Sequence, residues 1–368
     1  MAIVTDRKVS REFRATFTLF VLVHVGCFAA FWTGVSGADI ALMTALYWVR
    51  MFAVTAGYHR YFSHRAYSTS RVFQFMLAFL AQSSLQSGAL WWAAKHRAHH
   101  RYSDAPEDSH SPVQYGFWFS HLGWIFNTEG SKADYSRIPD LTRFPELVWL
   151  NKNSFVPGVL LGLFSWLLLG WSGLVVGFLW STVLLYHGTF FINSLAHVVG
   201  KPRYLTGDES KNNFWLAIIT LGEGWHNNHH YYMASARQGF RWYEIDVSYY
   251  VLRILAVFGI VWDIKEPPAH ILEQPRKLSD DLMDRVANRI AGAFCADTIS
   301  LKVRARLHAI HEAPSLAEMI RAELPTVEEM QKKASRMFAK TEALTEIVHR
   351  AQAMLAQAVN QRLAGSYN

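Results

Sequence analysis

The chain has 368 residues, of which 51% are hydrophobic and 14% aromatic, and its formal net charge is +7. An apolar fraction this high favours a membrane protein over an ordinary soluble domain. The basic residues are scattered and no nucleic-acid-binding motif accompanies them, so anionic lipid headgroups explain the charge better than nucleic acid does. Two distant cysteines, Cys27 and Cys295, exclude a disulfide framework and favour a reducing cytosolic environment.

Four apolar runs predict transmembrane helices, at residues 15–32, 40–58, 155–169 and 174–195. The first run is too long for a signal peptide, and we expect it to be retained. The short connections within each pair of runs, 34–39 and 170–173, contain no Lys or Arg, whereas Lys and Arg flank the outer ends of the runs. The positive-inside rule then places both termini and the long connections in the cytosol.

Two further apolar stretches, 72–90 and 249–262, are predicted to lie along the membrane interface or dip into it rather than cross. Polar residues from Gln82 to Ser87 crowd the second half of the first stretch, and Arg253 lies in the middle of the second. This topology brings 59–154 and 196–263 together as a cytosolic cap. Residues 1–263 therefore form one predicted membrane domain.

After Pro267-Pro268 the composition becomes charged and alanine-rich, which predicts a helical cytosolic extension over 264–368. Thr326-Val-Glu-Glu329 has the form of a capping box, and the apolar residues between 330 and 348 follow helical spacing. This apolar stripe either packs on the main domain or docks an electron donor or another subunit.

Eight of the chain's 17 histidines lie in three short clusters, which are His59-Arg-Tyr-Phe-Ser-His64, His96-Arg-Ala-His99-His100 and His226-Asn-Asn-His229-His230. His-x-x-His-His places three imidazoles on one helical face, whereas the first cluster is expected to straddle the end of the second span. His197, after the fourth span, makes nine imidazoles, a number that suits two metal ions. A pair rich in imidazole and poor in carboxylate suits iron, and copper is chemically possible.

The other histidines are expected to have lesser roles. His24 and His187 stand alone in apolar runs and should be packing or hydrogen-bonding residues. His110 and His121 are candidates for supporting the metal ligands or contacting substrate. Four more lie in the tail and should be solvated, and they are His270, His308, His311 and His349.

Around these histidines the chain resembles the membrane fatty acyl desaturases, specifically the stearoyl-CoA desaturase-like (delta-9) group. The resemblance spans about residues 15–262 and is carried by 55–65, 92–100, 119–124, 193–197 and 222–230. It implies an all-α integral membrane protein of four transmembrane helices with a cytosolic helical cap holding a histidine-ligated di-iron site. It further implies that two Fe ions are bound by nine histidines, with one asparagine acting through water, and these roles fall on His59, His64, His96, His99, His100, His197, His226, His229, His230 and Asn193.

The resemblance also implies an oxygen-dependent enzyme that introduces a cis double bond, at the delta-9 position, into a saturated acyl chain. A kinked acyl tunnel would be shaped by Gln86, Trp92, Thr189 and Phe190, the last of which replaces a tryptophan of animal members. Those members carry Arg-Asp before the second cluster and Arg-Lys after the Ser-His-x-Gly-Trp motif. This chain has Ala94-Lys95 and Thr128-Glu129 there. Much of the charge that would hold a CoA phosphate is missing, so the acyl carrier is either CoA or a phospholipid.

No His-Pro-Gly-Gly haem motif occurs, so the resemblance implies a separate electron donor of the ferredoxin, rubredoxin, cytochrome b5 or NAD(P)H reductase type. The nearest alternative is a di-iron membrane hydroxylase acting on alkyl or fatty acyl chains. A metal transporter or sensor would instead need ligands along a path through the spans. Acyl chain length, exact bond position, donor identity and oligomeric state are left open by the residues.

Overall fold

A computed structural model of the chain describes residues 11–127, 132–273, 278–309 and 315–364. The described residues are mostly helical, with one short antiparallel pair of strands, β1 (Ser68–Thr69) and β2 (Val261–Trp262). The chain divides into two compact units, one made of Met1–Gly200 with Ser210–Leu272 and the other of Lys201–Glu209 with Glu273–Asn368.

The helices of the first unit follow one another in chain order. They are α1 (Arg11–Gly26), α2 (Ala30–Thr33), α3 (Gly37–Phe52), the π-helix π1 (Ala53–Ser63), α4 (Arg71–Gln82), α5 (Ala89–Tyr102), α6 (Pro112–Tyr115), α7 (Phe117–His121), α8 (Pro139–Thr142), α9 (Pro145–Lys152), α10 (Val156–Ser172), the π-helix π2 (Gly173–Trp180), α11 (Ser181–Ser194), α12 (Phe214–Ile219), α13 (His226–Tyr231) and α14 (Val247–Val257). Short 3₁₀ turns cover Cys27–Ala29, Gly123–Phe126, Tyr135–Arg137 and Leu195–His197.

Two helical stretches among the described residues are long and apolar enough to cross a membrane, namely Gly37–Ser63 with 27 residues and Val156–His197 with 42. The first begins with a capping box in which Ser36 and Asp39 exchange side-chain and backbone hydrogen bonds. A shorter apolar helix covers Phe17–Thr33. Large apolar side chains near the ends of these segments are exposed, Trp32 to 83% for example, as a lipid-facing surface requires.

The longer stretch reverses its direction in the middle. Leu169 and Gly170 leave helical geometry, and Gly170 has φ +66°, a conformation that favours glycine. On either side of this break the chain packs against itself. A side-chain atom at Gly162 would lie 3.3 Å from the Phe178 ring, and one at Gly173 would lie 2.4 Å from the Ser165 carbonyl. The stretch is therefore a helical hairpin.

The two apolar stretches that were expected not to cross are short helices. α4 has 12 residues and α14 has 11, and both are shorter than the roughly 20 residues that a spanning helix needs. After α4 the chain turns through Leu85 and Ser87, both with positive φ. The main hydrophobic core packs π1 against α4, α5 and α9 through buried side chains, among them Tyr58, Phe62, Leu77, Ala93 and Leu150.

The described part of the second unit contains five helices, α16 (Asp280–Gly292), α17 (Ala296–Ala309), α18 (Leu316–Glu323), α19 (Val327–Met337) and α20 (Leu344–Ala364), and α15 (Ala269–Glu273) precedes them. Thr326 and Glu329 form the capping box that the sequence suggested. The stripe residues Met330, Ala334 and Val348 are buried in a core that also takes in Leu205, a residue assigned to the cap by the sequence. His270 and His349 are exposed, whereas the His308 side chain and His311 lie outside the described residues.

Candidate metal centre

The structure brings all nine predicted ligand histidines together as two neighbouring groups. The five-histidine cluster consists of His59, His64, His96, His100 and His229, and the four-histidine cluster consists of His99, His197, His226 and His230. Within each cluster, one ring nitrogen of every residue lies within 4.8 Å of the others. The geometry therefore divides the histidines into two candidate metal sites.

Two short helices contribute to both clusters and so fix their relative position. On α5, His96 and His100 point into the five-histidine cluster, and His99 points into the other. On α13 the arrangement is reversed, because His226 and His230 belong to the four-histidine cluster and His229 to the five-histidine cluster. Residues four apart lie on one helical face, so each His-x-x-His-His motif gives a pair to one site and a single ligand to the other.

The first sequence cluster reaches its site through a π-helix. The His64 amide donates to the His59 carbonyl five residues earlier, at 3.2 Å. This wider winding brings residues five apart closer to the same side than an α-helix does. The rings of His59 and His64 consequently lie 4.9 Å apart and enter one cluster.

The nitrogens of the five-histidine cluster converge in a way that hydrogen bonds alone cannot satisfy. The Nε2 atom of His96 lies 2.9 Å from Nε2 of His64 and 2.9 Å from Nε2 of His100. His100 Nε2 also lies 2.9 Å from His229 Nε2, which lies 3.0 Å from His59 Nε2. A neutral imidazole carries one N–H, so such mutually facing nitrogens need a shared cation. The donor set fits a metal ion.

The four-histidine cluster is fully buried. Nε2 of His197 lies 3.1 Å from Nε2 of His226, and the rings of His226 and His230 are 4.3 Å apart. His99 closes the group, with its ring 5.4 Å from that of His230. The cluster thus offers four imidazoles from three separate segments.

The electrostatics keep these histidines in the form that binds metals. Burial lowers the pKa of His64, His96, His100 and His229 well below the ordinary value, and mutual repulsion among the histidines lowers it further. The rings are therefore neutral at physiological pH, and a neutral imidazole nitrogen is a metal ligand.

Three buried carboxylates orient the histidines from behind. Nδ1 of His197 donates to Asp104 at 2.9 Å, and Nδ1 of His99 donates to Asp108 at 3.0 Å. Nδ1 of His59 contacts Glu223. In each case Nδ1 is engaged and Nε2 is left to face the cluster, the arrangement that supports metal-bound imidazole.

These carboxylates remain ionised in spite of their burial. Burial alone would raise the pKa of Asp108, but His99 and His110 hold it well below its ordinary value. Burial likewise opposes ionisation of Glu223, and His59 and the buried guanidinium of Arg60 keep its pKa lowered. Charged carboxylates make stronger hydrogen bonds to the histidines than neutral ones would.

The sequence analysis missed all three acids. A usable signal was their position, because Asp104 and Asp108 follow His100 by four and eight residues and Glu223 precedes His226 by three. Asp104 has φ +59° and is fixed by the Ser111 hydroxyl, which donates to its carboxylate at 2.6 Å. Such a turn is visible only in three dimensions.

Two polar side chains hold the ligand-bearing helices in place. Arg97 joins α5 to the end of π1, donating to the Ser63 carbonyl at 3.0 Å and the Phe62 carbonyl at 2.9 Å, while Asp140 binds the same guanidinium. The Asn212 side chain accepts from two backbone amides at the start of α13, at 3.0 and 3.1 Å. These contacts set the positions of both His-x-x-His-His motifs.

Comparison with known proteins identifies the family. A family model described as fatty acid desaturase matches residues 30–256, a region that contains both clusters. This chain belongs to the fatty acid desaturase family. The resemblance seen in the sequence is confirmed, and the protein is an oxidoreductase that acts on fatty acyl chains.

Several relatives are named delta-9 desaturases. The chain is 36% identical over 252 residues to the sn-1 stearoyl-lipid 9-desaturase of Anabaena variabilis, covering 67% of this chain and 92% of that protein. It is 34% identical over 259 residues to delta-9 acyl-lipid desaturase 2 of Arabidopsis thaliana, covering 70% and 82%. It is 36% identical over 263 residues to the hex-5-enoyl-[acyl-carrier protein] acetylenase of Moorena producens, covering 66% and 81%. These names give no support to a hydroxylase.

Among the predicted tunnel residues of the desaturase, Trp92 contacts a metal cluster. Thr189 donates to the side-chain oxygen of Gln86 at 3.1 Å. Trp92 stacks on His96 with ring centres 4.8 Å apart. Phe190 is 6% exposed and stacks on Tyr186. That these four side chains line an acyl tunnel stays a prediction.

Two further predicted site residues of the desaturase, His110 and Asn193, are among the described residues. His110 stacks on His99 with ring centres 4.5 Å apart, and so lies against the four-histidine cluster. Asn193 lies at the end of α11, where the Ser120 hydroxyl donates to its carbonyl at 2.9 Å. Its action on a metal through water stays a prediction. Thr128 and Glu129 lie outside the described residues.

Proposed function

We propose that this protein is an oxygen-dependent acyl desaturase that converts a saturated acyl chain into its cis delta-9 monounsaturated form while the chain is attached to a membrane lipid. The observation that carries the proposal is the convergence of nine buried or half-buried imidazoles on two adjacent centres. Each turnover removes two hydrogens from adjacent methylenes, consumes one dioxygen, two electrons and two protons, and forms two waters.

Two iron ions are the proposed cofactors. The five-histidine cluster would hold one and the four-histidine cluster the other, with Asn193 acting through water. Iron bound there would supply the oxidising power that no side chain possesses for an unactivated C–H bond. The protein's own contribution is positional, because Asp104, Asp108 and Glu223 fix the ring orientations before any ion arrives.

The acyl chain is held by apolar and aromatic surface near the clusters. Trp92 covers His96 on one side, and the Gln86–Thr189 hydrogen bond ties the segment before α5 to α11. We infer that these contacts bend the acyl chain so that carbons 9 and 10 face the clusters. A displacement of the chain would lose rate and regioselectivity together.

A lipid carrier is favoured over CoA by Ala94 and Lys95, the two residues before the second cluster. Ala94 is buried and uncharged at the place where the animal acyl-CoA members of the family carry arginine. Lys95 is half-buried, and burial lowers its pKa to about 8. Two of the relatives above are named as lipid desaturases. A CoA phosphate would find little fixed charge in this segment.

The proposed topology has four membrane spans with both termini and the metal centre in the cytosol. The helix Gly37–Ser63 and the helical hairpin Val156–His197 supply three of the spans, and Phe17–Thr33 supplies the fourth. Residues 1–263 would form the membrane domain, and 264–368 a cytosolic extension. Electrons would come from a separate small redox protein or reductase.

The reaction is tested by expression in a host that lacks its own desaturase, followed by gas chromatography of the total fatty acids. New cis delta-9 monounsaturated chains are the expected result. No new double bond, in the presence of bound iron and a working reductant, would refute the proposal. Hydroxylated chains would instead support the hydroxylase.

The carrier is tested separately with purified protein and one stearoyl group presented in three forms. Stearoyl phospholipid, stearoyl-CoA and stearoyl-acyl carrier protein are compared at equal concentration with the same electron donor. We expect product from the phospholipid. Product from either soluble thioester alone would reverse the assignment of carrier and leave the desaturase chemistry intact.

A further inference from the structure

The turn that connects α4 to α5 is built from strained backbone. Leu85 and Ser87 have φ angles of +59° and +65°, in a region that residues other than glycine rarely adopt. Strain of this kind persists only where surrounding contacts impose it, and it is concentrated at sites of function. We call residues 83–88 the strained turn. It includes Gln86, one of the predicted tunnel residues.

Two tyrosines bind the strained turn on either side of Gln86. The Tyr186 hydroxyl, from α11, donates to the Leu85 carbonyl at 3.2 Å. The Tyr58 hydroxyl, from π1, donates to the Ser87 carbonyl at 2.7 Å. The two residues with positive φ are therefore the two whose carbonyl groups are held by a tyrosine.

Arg50 fixes the start of the strained turn. It is fully buried and is the central residue of the apolar stretch Gly37–Ser63. No carboxylate pairs with it among the residues that the structure describes, and its guanidinium donates instead to the Ser83 carbonyl at 3.3 Å and to the hydroxyls of Thr182 and Ser181. Ser83 is the C-cap of α4, a place where a cation is favourable. This buried charge holds the point at which α4 ends and the turn begins.

The strained turn is also packed against two other helices. A side-chain atom at Gly158 of α10 would lie 2.3 Å from the Leu85 side chain, so this side chain rests directly on the helix backbone. A side-chain atom at Gly88 would lie 2.2 Å from the Asn151 side chain of α9. Neither helix leaves room for the turn to move toward it.

The rings of both tyrosines contact predicted tunnel residues. The ring centre of Tyr58 lies 5.5 Å from that of Trp92, and the ring centre of Tyr186 lies 5.5 Å from that of Phe190. Tyr58 also immediately precedes His59, a ligand of the five-histidine cluster. Each tyrosine therefore joins the strained turn to a tunnel residue, with its hydroxyl at one end and its ring at the other.

We propose that Tyr58 and Tyr186 are positioning residues that determine where along the acyl chain the double bond is placed. This inference rests on the proposed function. The two hydroxyls fix the strained turn, and with it Gln86, relative to the histidine clusters. The distance from the bend in the acyl chain to the clusters selects the carbon that loses hydrogen first. A turn displaced by the length of one carbon–carbon bond would present the neighbouring methylene instead.

The test uses the variants Tyr186→Phe and Tyr58→Phe, each expressed as the full chain in the host that lacks its own desaturase. Each change removes one hydroxyl and keeps the ring that contacts Phe190 or Trp92. We expect wild-type iron content. The ratio of carbon-9 product to products at the neighbouring positions should fall about fivefold, the order expected from one lost hydrogen bond. Mass spectrometry of the derivatised fatty acids measures this ratio.

Tyr67→Phe is the matched control. Tyr67 is as deeply buried as Tyr186, each being 3% exposed, and its hydroxyl also donates to a backbone carbonyl, that of Ala56 at 2.9 Å. The hydrogen bond that this variant loses lies outside the strained turn. Its product ratio should therefore equal that of the wild-type protein.

A shift in the product ratio of either variant, at full iron content, would support the inference. A wild-type ratio in both Tyr58→Phe and Tyr186→Phe would overturn it. The same shift in Tyr67→Phe, or a loss of iron that accompanies the shift, would overturn it as well, because either result marks a general loosening of the fold. Failure of the proposed function would be seen separately, as an absence of desaturated product from the wild-type protein.

Discussion

The two histidine clusters are built differently. The five-histidine cluster has more ligands, but three of them are half-buried and Glu223 is the one carboxylate that contacts its rings among the described residues. The four-histidine cluster has fewer ligands, all buried, and two aspartates from a single turn behind them. The cluster with more histidines therefore has fewer carboxylates orienting them.

This difference suggests how each site would tolerate damage. A site with five imidazoles can lose one and still offer four, whereas a site with four has no surplus. The second site should therefore depend more on each ligand and on each carboxylate that orients it.

The largest effect is expected for His197→Ala. It removes one of four ligands and leaves Asp104 as a buried carboxylate without its histidine. We expect the iron content to fall from two to one per chain and the desaturase activity to fall to background. Metal analysis and gas chromatography of the same preparation measure both. His64→Ala, in the five-histidine cluster, is the comparison and should keep more of its iron. Full iron content with activity in His197→Ala would remove this residue from the ligand set.

A smaller effect is expected for Asp108→Asn. The amide cannot hold the His99 ring as the carboxylate does, so the affinity of the four-histidine site should fall about 10- to 100-fold. A chelator titration of the loaded protein measures the loss. Asp134→Asn, at an exposed aspartate that contacts Ser136, is the matched control and should titrate like wild type. Equal titrations of the two variants would show that Asp108 does not support the site.

Glu223→Gln should weaken the five-histidine site by less than Asp108→Asn weakens the other. His59 is one of five ligands there, and the guanidinium of Arg60 keeps Asp246 as a partner at 2.9 Å. We expect a loss of affinity of about tenfold, the lower end for such outer contacts. Mössbauer spectra, with His197→Ala and His64→Ala as references, identify which ion is lost. Glu146→Gln, which breaks an exposed pair with Arg71, is the control. Loss of the ion from the four-histidine site would contradict the assignment.

The smallest effect on the metals is expected for Thr189→Val, which should leave both sites loaded. The change keeps the shape of the side chain and removes its hydrogen bond to Gln86, worth about 1 kcal/mol. We expect unchanged iron content and a lower kcat, with some double bonds displaced from carbon 9. Mass spectrometry of derivatised products measures their position. Loss of iron would place Thr189 in the support of the clusters instead.

The sequence predicted the nine histidines as a group because metal ligands must recur at helical spacings. His96, His99 and His100 show this directly, and so do His226, His229 and His230. It also predicted that the first cluster departs from regular α-helix. Spacing alone could not show that this departure is a π-helix, because a wider turn depends on packing around residues 53–63.

The division of the histidines between two sites was not visible in the sequence. Three imidazoles on one helical face suggest one site, yet α5 and α13 each contribute to two. The sequence did not predict the three carboxylates for a related reason. Asp104 reaches His197, which lies 93 residues further along the chain, and only the folded chain reveals such a contact.

Three hydrogen-bonded histidines that belong to neither cluster show the same limit. His24, His187 and His121 look like isolated residues of apolar segments, and the first two are hydrogen-bonded, as expected. They are 163 and 66 residues from their partners along the chain. A line of hydrogen bonds has no sequence period, so no pattern could have grouped them.

The most direct test of the account is the amount of each metal per chain in purified protein that is active on acyl lipid. Inductively coupled plasma mass spectrometry of one active preparation provides the number. Two irons per chain, with negligible copper and zinc, is the predicted result. A single iron, or copper in place of iron, in a fully active preparation would contradict the assignment of nine histidines to a di-iron centre.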